Sequence, residues 1–361
     1  MALTATSAAK AVARGTTTVP LRTRAAAEAS SADRVAVRLW GKYDTLLADL
    51  DGVIYEGSEA IVNAVDSVNR IQESGIPVGY VTNNSSRKPE TIVEQLNGFG
   101  LHAKPSDVIG SAQTGVELLS TLVPKGSKIL VVGGEGLRSR VIESGFELVE
   151  KADDKPAGVI QGFSPDVAWV HLAEASFAIQ RGAKWVATNS DWTIPREGGI
   201  APGNGTLVSA VHTAVGQMPV VAGKPEPAIF HTALRPFGSS NALFVGDRLD
   251  TDIVGANRAG IDSALVMTGI ATRKDVLGSK PEERATYIIG DLSELLADYL
   301  APKQTKRGFA CGDAEVELLG NRVLVTHGDP KSLNALKAAA ATIYSAEQPI
   351  YALEVEPALY E

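Results

Sequence analysis

The sequence predicts an α/β protein whose parallel sheet carries helices on both faces. Eight short apolar runs, rich in β-branched residues, recur along the chain, and most of them end in Gly, Asp, Asn or Thr. Amphipathic stretches of helical period lie between them, such as residues 60–75, which stop at Gly75. Strands that alternate with helices form βαβ units, and such units build parallel sheets. Because ligands of these sheets bind at the carboxyl ends of the strands, the polar residues after each run are the first candidates for a site.

The predicted strands extend over most of the chain. They cover residues 44–49, 76–83, 128–134, 157–163, 183–189, 219–224, 241–247 and 263–269. The alternation then ends, and the pattern predicts a hairpin over 315–329, a helix over 332–346 and a last strand over 349–356. About 55 residues are marginal for an independent core, so we expect this last segment to dock on the rest of the chain.

Residues 1–38 differ from the rest of the chain in composition. They are rich in Ala, Ser, Thr and Arg, and no acidic residue precedes Glu28. Few large apolar side chains are present, so burial cannot offset the entropy lost on ordering this segment. We expect a disordered leader, and a transit peptide of similar composition is the alternative.

Charge and cysteine content exclude several classes of protein. The chain has 34 Lys and Arg residues against 42 Asp and Glu, a net charge of −8, which attracts neither nucleic acid nor an anionic membrane. No apolar run reaches the length of a membrane span. Cys311 is the single cysteine, so an internal disulfide and a zinc site of Cys and His ligands are excluded. We therefore expect a protein of a reducing compartment, the cytoplasm.

Two carboxylates end the first predicted strand. Asp49 and Asp51 are two residues apart, so both side chains project from the same side of the strand. Crowded carboxylates repel each other unless a cation or hydrogen bonds offset their charge. Gly52 lets the chain leave the strand tightly. Taken alone, the same pair is typical of a solvated turn.

Three other strand ends carry polar groups of complementary chemistry. They are Thr82, Asn83 and Asn84 after the second run, Lys224 after the run 219–224, and Asp247, Asp250 and Asp252 after the run 241–247. Hydroxyl, amide and main-chain N–H groups are those that hold phosphate oxygens. Each group alone could be a loop start, an exposed charge or a helix N-terminus favoured by the helix dipole. Four such groups at strand ends indicate a common site, in which Asp250 has no role that we can assign.

Together these groups resemble the four motifs of the haloacid dehalogenase superfamily of phosphotransferases. DxDGV, T-N-N, G-K-P and GDxxxTD occur here complete and in that order, and the resemblance spans residues 43–300. It implies a Rossmann-like core over 39–114 and 223–300. The insertion between them, 115–222, is similar to the type-2 α/β cap of one subfamily. The segment 303–361 is similar to the small acetyltransferase-like tail of actinobacterial phosphatases that act on glycerol 3-phosphate.

The resemblance implies a role for each motif residue. Asp49 would be the nucleophile that becomes an aspartyl phosphate, and Asp51 would protonate the leaving alcohol and then activate water. Mg²⁺ would be held by Asp49, the main-chain carbonyl of Asp51, and Asp247, with Asp252 supporting them. The phosphate would be bound by Thr82, Asn83, Asn84 and Lys224. The lysine would balance the charge of the nucleophile and the phosphoryl group.

The function implied is that of a Mg²⁺-dependent phosphomonoesterase acting on a small phosphorylated metabolite. Glycerol 3-phosphate is the substrate we expect, and 2-phosphoglycolate, pyridoxal phosphate and nucleotides are the alternatives. A regulatory or binding protein on the same scaffold, with the tail as an interaction module, is the alternative of another class. The partner expected is therefore the metabolite, with neither nucleic acid nor membrane, and a homo-oligomer is left open.

The insertion contains the residues expected to select the substrate. Arg196 lies in a predicted loop, 189–199, and could contact an anionic or hydroxylated leaving group. Trp192 in the same loop could face the substrate, whereas Trp169 and Trp185 are expected to pack inside the insertion. Residues 133–139 contain only GxG, without the third glycine of a dinucleotide motif, so a strand and helix of the insertion are favoured there. The absence of GxSxG excludes an α/β-hydrolase.

Overall fold

The computed structural model describes residues 39–196 and 198–361, and the leader predicted over 1–38 lies outside them. Three sheets of five or six strands contain most of the β-structure of this part of the chain. Among the helices that it describes, none is both long and apolar enough to cross a membrane.

The first sheet, here the core sheet, has six parallel strands and is built from two separate parts of the chain. In spatial order its strands are Tyr287–Ile289, Asp262–Val266, Ala242–Gly246, Thr45–Ala48, Val78–Thr82 and Val108–Gly110. The chain starts at the strand Thr45–Ala48 and moves outward to one edge, and later returns to build the other side. The order therefore switches direction beside Thr45–Ala48, which is where ligands of open α/β sheets bind.

Both faces of the core sheet are covered, as the alternating sides of its strands require. Leu46 on one face packs with the helices Ala64–Glu73 and Pro89–Gly98. Leu47 on the other face packs with the helix Pro227–Leu234. The helices Val254–Ala259 and Arg273–Gly278 complete this part of the fold.

The second sheet, here the cap sheet, has five parallel strands and lies within the predicted insertion. Its strands are Val220–Val221, Lys184–Ala187, Gly158–Gln161, Lys128–Val132 and Glu147–Val149. Its four helices are Ser111–Leu122 and Glu135–Glu143 on one face, and Trp169–Gln180 and Asn204–Val215 on the other. The predicted start of the insertion, residue 115, falls inside the first of these helices. We therefore propose that the cap begins at Ser111.

Two tryptophans of the cap differ from each other in burial. Trp185 is buried, as predicted. Trp169 is 79% exposed, so the prediction that it packs inside was wrong. It is the first residue of the helix Trp169–Gln180, whose buried residues are Ala175, Ser176, Ala178 and Ile179. Residues 169–171 are all exposed, so Trp169 lies in a first turn that extends beyond the buried part of the helix.

The third sheet and one helix form the C-terminal segment, here the tail. Its strands are Lys303–Gln304, Gly308–Cys311, Ala314–Leu319, Arg322–His327 and Glu354–Val355, and only the last pair is parallel. The helix Leu333–Tyr344 packs on this sheet. Its apolar residues share one cluster with Leu265 and Ile288 of the core sheet. The tail thus completes the apolar cover of the core sheet instead of enclosing a core of its own.

Candidate active site

The strand ends at the switch point bring the motif residues together. Asp49 follows Thr45–Ala48, which lies between the strands that end at Gly246 and Thr82. The neighbouring strands are parallel, and Ala48 is the register partner of both Val245 and Tyr80. Residues that follow these positions therefore emerge at one edge of the sheet.

Lys224 connects two of the buried carboxylates. Its Nζ lies 2.7 Å from Asp49 Oδ1 and 2.7 Å from Asp252 Oδ1, and the lysine itself is 2% exposed. Burial alone would lower the pKa of Lys224, but the charges of Asp252 and Asp49 outweigh burial and raise the pKa. Lys224 therefore remains an ammonium ion beside Asp49.

Both carboxylate oxygens of Asp252 have polar contacts. Its Oδ2 accepts hydrogen bonds from the main-chain N–H groups of Asp247 and Arg248, both at 3.1 Å, and its Oδ1 faces Lys224. A Cβ at Gly246 would overlap the Asp252 side chain, so only glycine fits there. Asp252 thus supports the turn after the strand and holds the lysine. Its neighbour Asp250 binds the Arg248 guanidinium with both oxygens, at 2.8 and 3.1 Å.

One carboxylate oxygen of Asp247 accepts a hydrogen bond, and the other has no hydrogen-bond partner among the described residues. Its Oδ2 accepts the N–H of Ile270 at 2.7 Å, while its buried Oδ1 has no hydrogen-bond partner among the described residues. Side chains are excluded on two sides, because a Cβ at Gly52 or Gly269 would overlap Asp247 Oδ2. Burial and the charge of Asp252 raise the pKa of Asp247 to about 7.

The donor set fits a divalent cation that prefers oxygen. Asp49, Asp247 and Asp252 each offer a carboxylate oxygen, and these atoms lie within 4.8 Å of one another. Lys224 forms ion pairs with two of these three buried carboxylates, those of Asp49 and Asp252. Burial and the charge of Asp252 raise the pKa of Asp49 well above its usual range. The unpartnered Oδ1 of Asp247 favours a cation between Asp49 and Asp247, the pair that the sequence predicts as ligands. An all-oxygen set of this kind suits Mg²⁺.

Asp51 lies at the mouth of the site and remains accessible to solvent. Partial desolvation raises the pKa of Asp51, although the positive charges of Lys224, Arg87 and Arg196 act to lower it. Arg196, which the sequence predicts as a substrate contact in a loop over 189–199, instead ends the strand Thr193–Arg196. This strand pairs with Gly199–Pro202 in an antiparallel hairpin, here the cap hairpin, and the Arg196 guanidinium lies 5.3 Å from the Phe163 ring centroid. Its positive charge opposes the rise in the pKa of Asp51.

Arg87 was missed by the sequence analysis. Its Nη1 donates to Gln95 Oε1 at 2.7 Å, and its Nη2 donates to the carbonyl of Thr91 at 3.1 Å. Its position directly after the motif Thr-Asn-Asn-Ser-Ser was the available signal. Asn84 shapes this loop, because its Oδ1 accepts the N–H groups of Ser86 and Arg87 at 2.9 and 3.3 Å. The Asn84 side chain is thus engaged within its own loop.

Asn83 joins the core to the segment that carries Lys224. Its Oδ1 accepts the Lys224 N–H at 2.8 Å, and its Nδ2 donates to the Lys224 carbonyl at 3.1 Å and to Asp191 Oδ1 at 3.0 Å. Thr82 Oγ1 accepts the Asn84 N–H at 3.0 Å, which leaves the hydroxyl hydrogen free for another acceptor. Of these two side chains, the hydroxyl of Thr82, and not the amide of Asn83, therefore has a hydrogen available for a ligand.

Asp191 was also missed, and it fastens the cap to this loop. Besides the bond from Asn83 to Asp191, Asn189 Nδ2 donates to the Asn83 carbonyl at 2.8 Å. Burial raises the pKa of Asp191, against the hydrogen bond from Asn83 and the charges of Lys224 and Arg248. Asp191 follows the predicted strand 183–189 by two residues, so the strand-end rule could have found it.

Comparison with known proteins identifies the family. Residues 46–147 match the family model of the haloacid dehalogenase-like hydrolases, and residues 221–295 match a second model described as HAD-hydrolase-like. The chain is 42% identical over 257 residues to the D-glycerol 3-phosphate phosphatase of Mycobacterium tuberculosis, covering 71% of this chain and 72% of that protein. The chain belongs to the haloacid dehalogenase-like hydrolases.

Two further comparisons show how this hydrolase relates to its family. The crystal structure of a glycerol phosphate phosphatase from Mycobacterium tuberculosis in complex with magnesium superposes with a TM-score of 0.80 and 37% identity, covering 88% of this chain and 95% of that one. An acid sugar phosphatase of Staphylococcus aureus is 37% identical over 259 residues, which cover 71% of this chain and 98% of that protein. The Staphylococcus protein thus leaves about 100 residues of this haloacid dehalogenase-like hydrolase without a counterpart.

Proposed function

We propose that this haloacid dehalogenase-like hydrolase is a Mg²⁺-dependent phosphomonoesterase and that its substrate is glycerol 3-phosphate. The observation that carries the proposal is the buried carboxylate of Asp49, which lies 2.7 Å from Lys224 and beside the unpartnered oxygen of Asp247. The names of the Mycobacterium relative and of its magnesium complex support both the substrate and the metal.

Asp49 is the proposed nucleophile. Attack of its carboxylate on phosphorus forms an acyl phosphate and breaks the bond to the leaving alkoxide, and water then attacks the phosphorus and regenerates the carboxylate. A dianionic phosphate and a carboxylate repel each other, and the Lys224 ammonium reduces that repulsion at the reacting oxygen. When bound between Asp49, Asp247 and the carbonyl of Asp51, Mg²⁺ would supply further positive charge toward the phosphate oxygens.

Asp51 is the proposed general acid and base. It is accessible to solvent and has a raised pKa, so it can hold a proton for the departing alkoxide and later accept one from water. Thr82 is proposed to donate its hydroxyl hydrogen to a phosphate oxygen. Asn83 and Asn84 are proposed to act on the phosphate through the loop that their side chains shape.

Selection of the leaving group is proposed to lie with two arginines. The positive charges of Arg87 in the core and Arg196 in the cap both lower the pKa of Asp51, the residue proposed to protonate the leaving oxygen. Guanidinium groups donate several hydrogen bonds in a fixed plane and can bind hydroxyl groups of a small polyol. In glycerol 3-phosphate, one hydroxyl is on the carbon next to the one that bears the phosphoester and the other is on the terminal carbon.

The test is phosphate release from a panel of phosphomonoesters, with Mg²⁺ and with excess EDTA. We expect turnover only with Mg²⁺, and the highest kcat/KM for glycerol 3-phosphate among glycerol 3-phosphate, 2-phosphoglycolate, pyridoxal phosphate and a nucleoside monophosphate. A preference for another ester would contradict the proposed substrate while leaving the enzyme class intact. Full activity in EDTA, or no release from any ester, would contradict the proposed mechanism or favour a binding protein.

We also propose a reducing compartment, the cytoplasm, as the site of action. Cys311 is the single cysteine and its thiol is buried in the tail, where it donates to the carbonyl of Leu300 at 3.3 Å. A chain with one buried thiol has no internal disulfide to maintain. Localisation of a tagged full-length chain by microscopy or fractionation tests this proposal.

A further inference from the structure

The metal-facing carboxylate of Asp247 is oriented by one short loop, residues 267–272, here called the positioning loop. The N–H of Ile270 donates to Asp247 Oδ2 at 2.7 Å, and the N–H of Ala271 donates to the Asp247 carbonyl at 3.0 Å. Thr268 Oγ1 donates to the carbonyl of Gly52 at 2.7 Å, one residue after Asp51. The positioning loop thus contacts both chain segments that are proposed to hold the cation, residues 49–52 and the turn at Asp247.

Little space separates this loop from the carboxylate. A single Cβ at Gly269 would overlap the Oδ2, Cγ and Cβ atoms of Asp247. Main chain therefore packs directly against the carboxylate, and a shift of the loop would move the hydrogen-bonded Oδ2. Because the two oxygens of a carboxylate rotate together, the direction of the free Oδ1 changes with Oδ2.

The tail holds the far end of the positioning loop through Arg273. This residue begins the helix Arg273–Gly278, and its guanidinium donates at 2.7–3.3 Å to the main-chain carbonyls of Pro330, Lys331, Ser332 and Leu359. All four carbonyls belong to the tail. Four acceptors from two separate tail segments fix the arginine in its plane.

Two further contacts make the connection between loop and tail stiff. Ala271 is 9% exposed and lies in the apolar cluster that the tail helix Leu333–Tyr344 shares with the core. Thr272 and Asp275 cap the helix reciprocally, since the Asp275 N–H donates to Thr272 Oγ1 and the Thr272 N–H donates to Asp275 Oδ2. The segment from Ala271 to Arg273 therefore has little freedom to move independently of the tail.

We infer that Arg273 is a positioning residue through which the tail sets the metal affinity of the site. The inference rests on the proposed function, because it assumes a cation between Asp49 and Asp247. Without the guanidinium the positioning loop loses its anchor in the tail, and Asp247 has to be ordered when the metal binds. Loss of residues that orient metal ligands costs 10–100-fold in affinity, and Arg273 acts one step further out, so we expect a loss of about 3–10-fold.

The expected effect is on affinity and not on the chemical step. The alignment of 259 residues of this chain covers 98% of the acid sugar phosphatase of Staphylococcus aureus. That relative is therefore too short to contain a whole tail in addition to the core and the cap. The tail is therefore not needed for the reaction as such. With the metal at saturation, Asp49 and Lys224 retain their own contact, and kcat should change less than about twofold.

The experiment measures Mn²⁺ binding to the full-length chain by the loss of the free-ion EPR signal, without substrate. Arg273→Ala is compared with the unaltered chain and with Arg284→Ala as a matched control. The Arg284 guanidinium also joins core to tail, 4.2 Å from the Tyr344 ring centroid and 3.4 Å from its carbonyl, but makes none of the contacts to the positioning loop described above. We expect the Mn²⁺ Kd to rise about 3–10-fold in Arg273→Ala and less than about twofold in Arg284→Ala. The Mg²⁺ concentration for half-maximal turnover should shift in parallel.

Each outcome decides a separate point. An unchanged Kd in Arg273→Ala, or an equal rise in Arg284→Ala, would overturn the inference, since the latter reports only a loosened tail. If Arg273→Ala does not fold, Arg273→Lys decides, because it retains the charge but cannot reach all four carbonyls: a raised Kd supports the inference and an unchanged Kd overturns it. Failure of the unaltered chain to bind Mn²⁺ would instead overturn the proposed metal site itself.

Discussion

The carboxylates of the core and the hairpin of the cap are held in opposite ways. Asp247 is 1% exposed and is enclosed by main chain from two glycines, a loop and a turn. The cap hairpin is formed by Thr193–Arg196 and Gly199–Pro202. Ile200 in this hairpin is 72% exposed, and Trp192, directly before it, is 65% exposed. The carboxylates proposed to bind the cation are thus buried, whereas Trp192 and Arg196 of the cap lie at the surface.

This difference follows from what each region has to do. Asp49, Asp247 and Asp252 repel one another when ionised. Hydrogen bonds, the Lys224 ammonium and the protons that the raised pKa of Asp49 and Asp247 retains offset this repulsion before a cation binds. A leaving group is bound by fewer and weaker contacts, which an exposed hairpin can provide and vary without disturbing the core. Substitutions of the buried carboxylates should therefore affect every substrate, and those in the hairpin should affect some substrates only.

The largest effect is expected from Asp49→Asn. An amide does not attack phosphorus, so phosphate release from every ester should fall at least about 10³-fold. The measurement is steady-state phosphate release with saturating Mg²⁺. Asp250→Asn is the matched control, because Asp250 bonds only to Arg248 among the contacts described above, and its activity should stay within about twofold. Retention of substantial turnover in Asp49→Asn would remove the proposed nucleophile.

The next effect is expected from Asp51→Asn, which retains the nucleophile and removes the proton donor and later base. With p-nitrophenyl phosphate, whose leaving group needs little protonation, formation of the acyl phosphate should survive better than its hydrolysis. Phosphate should therefore accumulate on Asp49, visible by mass spectrometry and removed by alkali or hydroxylamine. Phosphate found on any other residue would overturn the roles of both aspartates.

The contrast between core and cap also explains what the sequence predicts well. Asp49, Thr82 and Asp247 were found because each follows an apolar run, and parallel strands bring such positions to one edge. A strand end can be recognised from the local sequence, and the parallel sheet then brings strand ends from distant parts of the chain together. Family resemblance then added roles, which no spacing could provide. The helix and hairpin of the tail were also readable from their local periods, whereas the last strand, predicted over 349–356, covers only Glu354–Val355, because Ile350–Ala352 form a 3₁₀ turn.

What was missed depends on contacts between distant segments. The bond from Asn83 to Asp191 joins residues 108 positions apart, and the bonds from Arg273 reach 57 to 86 positions along the chain. No local period records such pairs. Asn84 illustrates a competing effect, because its Oδ1 binds N–H groups of its own loop. A short polar side chain beside a turn often binds its neighbours before it binds a ligand.

A smaller effect is expected on stability, through pH and Mg²⁺. The pKa of Asp247 is about 7 in the fold and near 3.9 in an unfolded chain, and that of Asp49 is raised too. Between these pH values the folded, metal-free protein binds more protons than the unfolded chain, so this contribution to stability is present at low pH and is lost as the pH rises through about 7. A divalent cation replaces those protons. Mg²⁺ should therefore raise Tm by several degrees more near pH 8 than near pH 5.5.

The measurement is thermal unfolding of the full chain in excess EDTA and in excess Mg²⁺ at both pH values. The difference between the two conditions isolates the site from surface groups that titrate in both. Asp247→Asn is the control, because it removes a titrating carboxyl and a proposed ligand, so its Mg²⁺-dependent rise in Tm should be small at either pH. An equal rise at both pH values in the unaltered chain would show that protons and metal do not compete at this site.

The smallest effect is expected from Arg196→Ala in the exposed hairpin. The positive charge of Arg196 lowers the pKa of Asp51, and its guanidinium lies 5.3 Å from the Phe163 ring centroid. Loss of one solvent-accessible hydrogen bond to a hydroxyl costs about 1 kcal/mol, so kcat/KM for glycerol 3-phosphate should fall about 3–10-fold. For p-nitrophenyl phosphate, whose leaving group has no such hydroxyl, kcat/KM should change less than about twofold.

Arg181→Ala provides the matched control for that experiment. Arg181 is another arginine of the cap whose Nη1 binds Asp153 at 2.7 Å, and its loss should leave both substrates unaffected. If Arg196→Ala lowered kcat/KM equally for both esters, Arg196 would act in general phosphate binding or in the structure of the cap, and the division between a rigid core for chemistry and an exposed hairpin for selection would not hold. A fall confined to glycerol 3-phosphate would instead sharpen that division, because it would show that a surface residue of the cap discriminates between leaving groups while the buried carboxylates treat them alike.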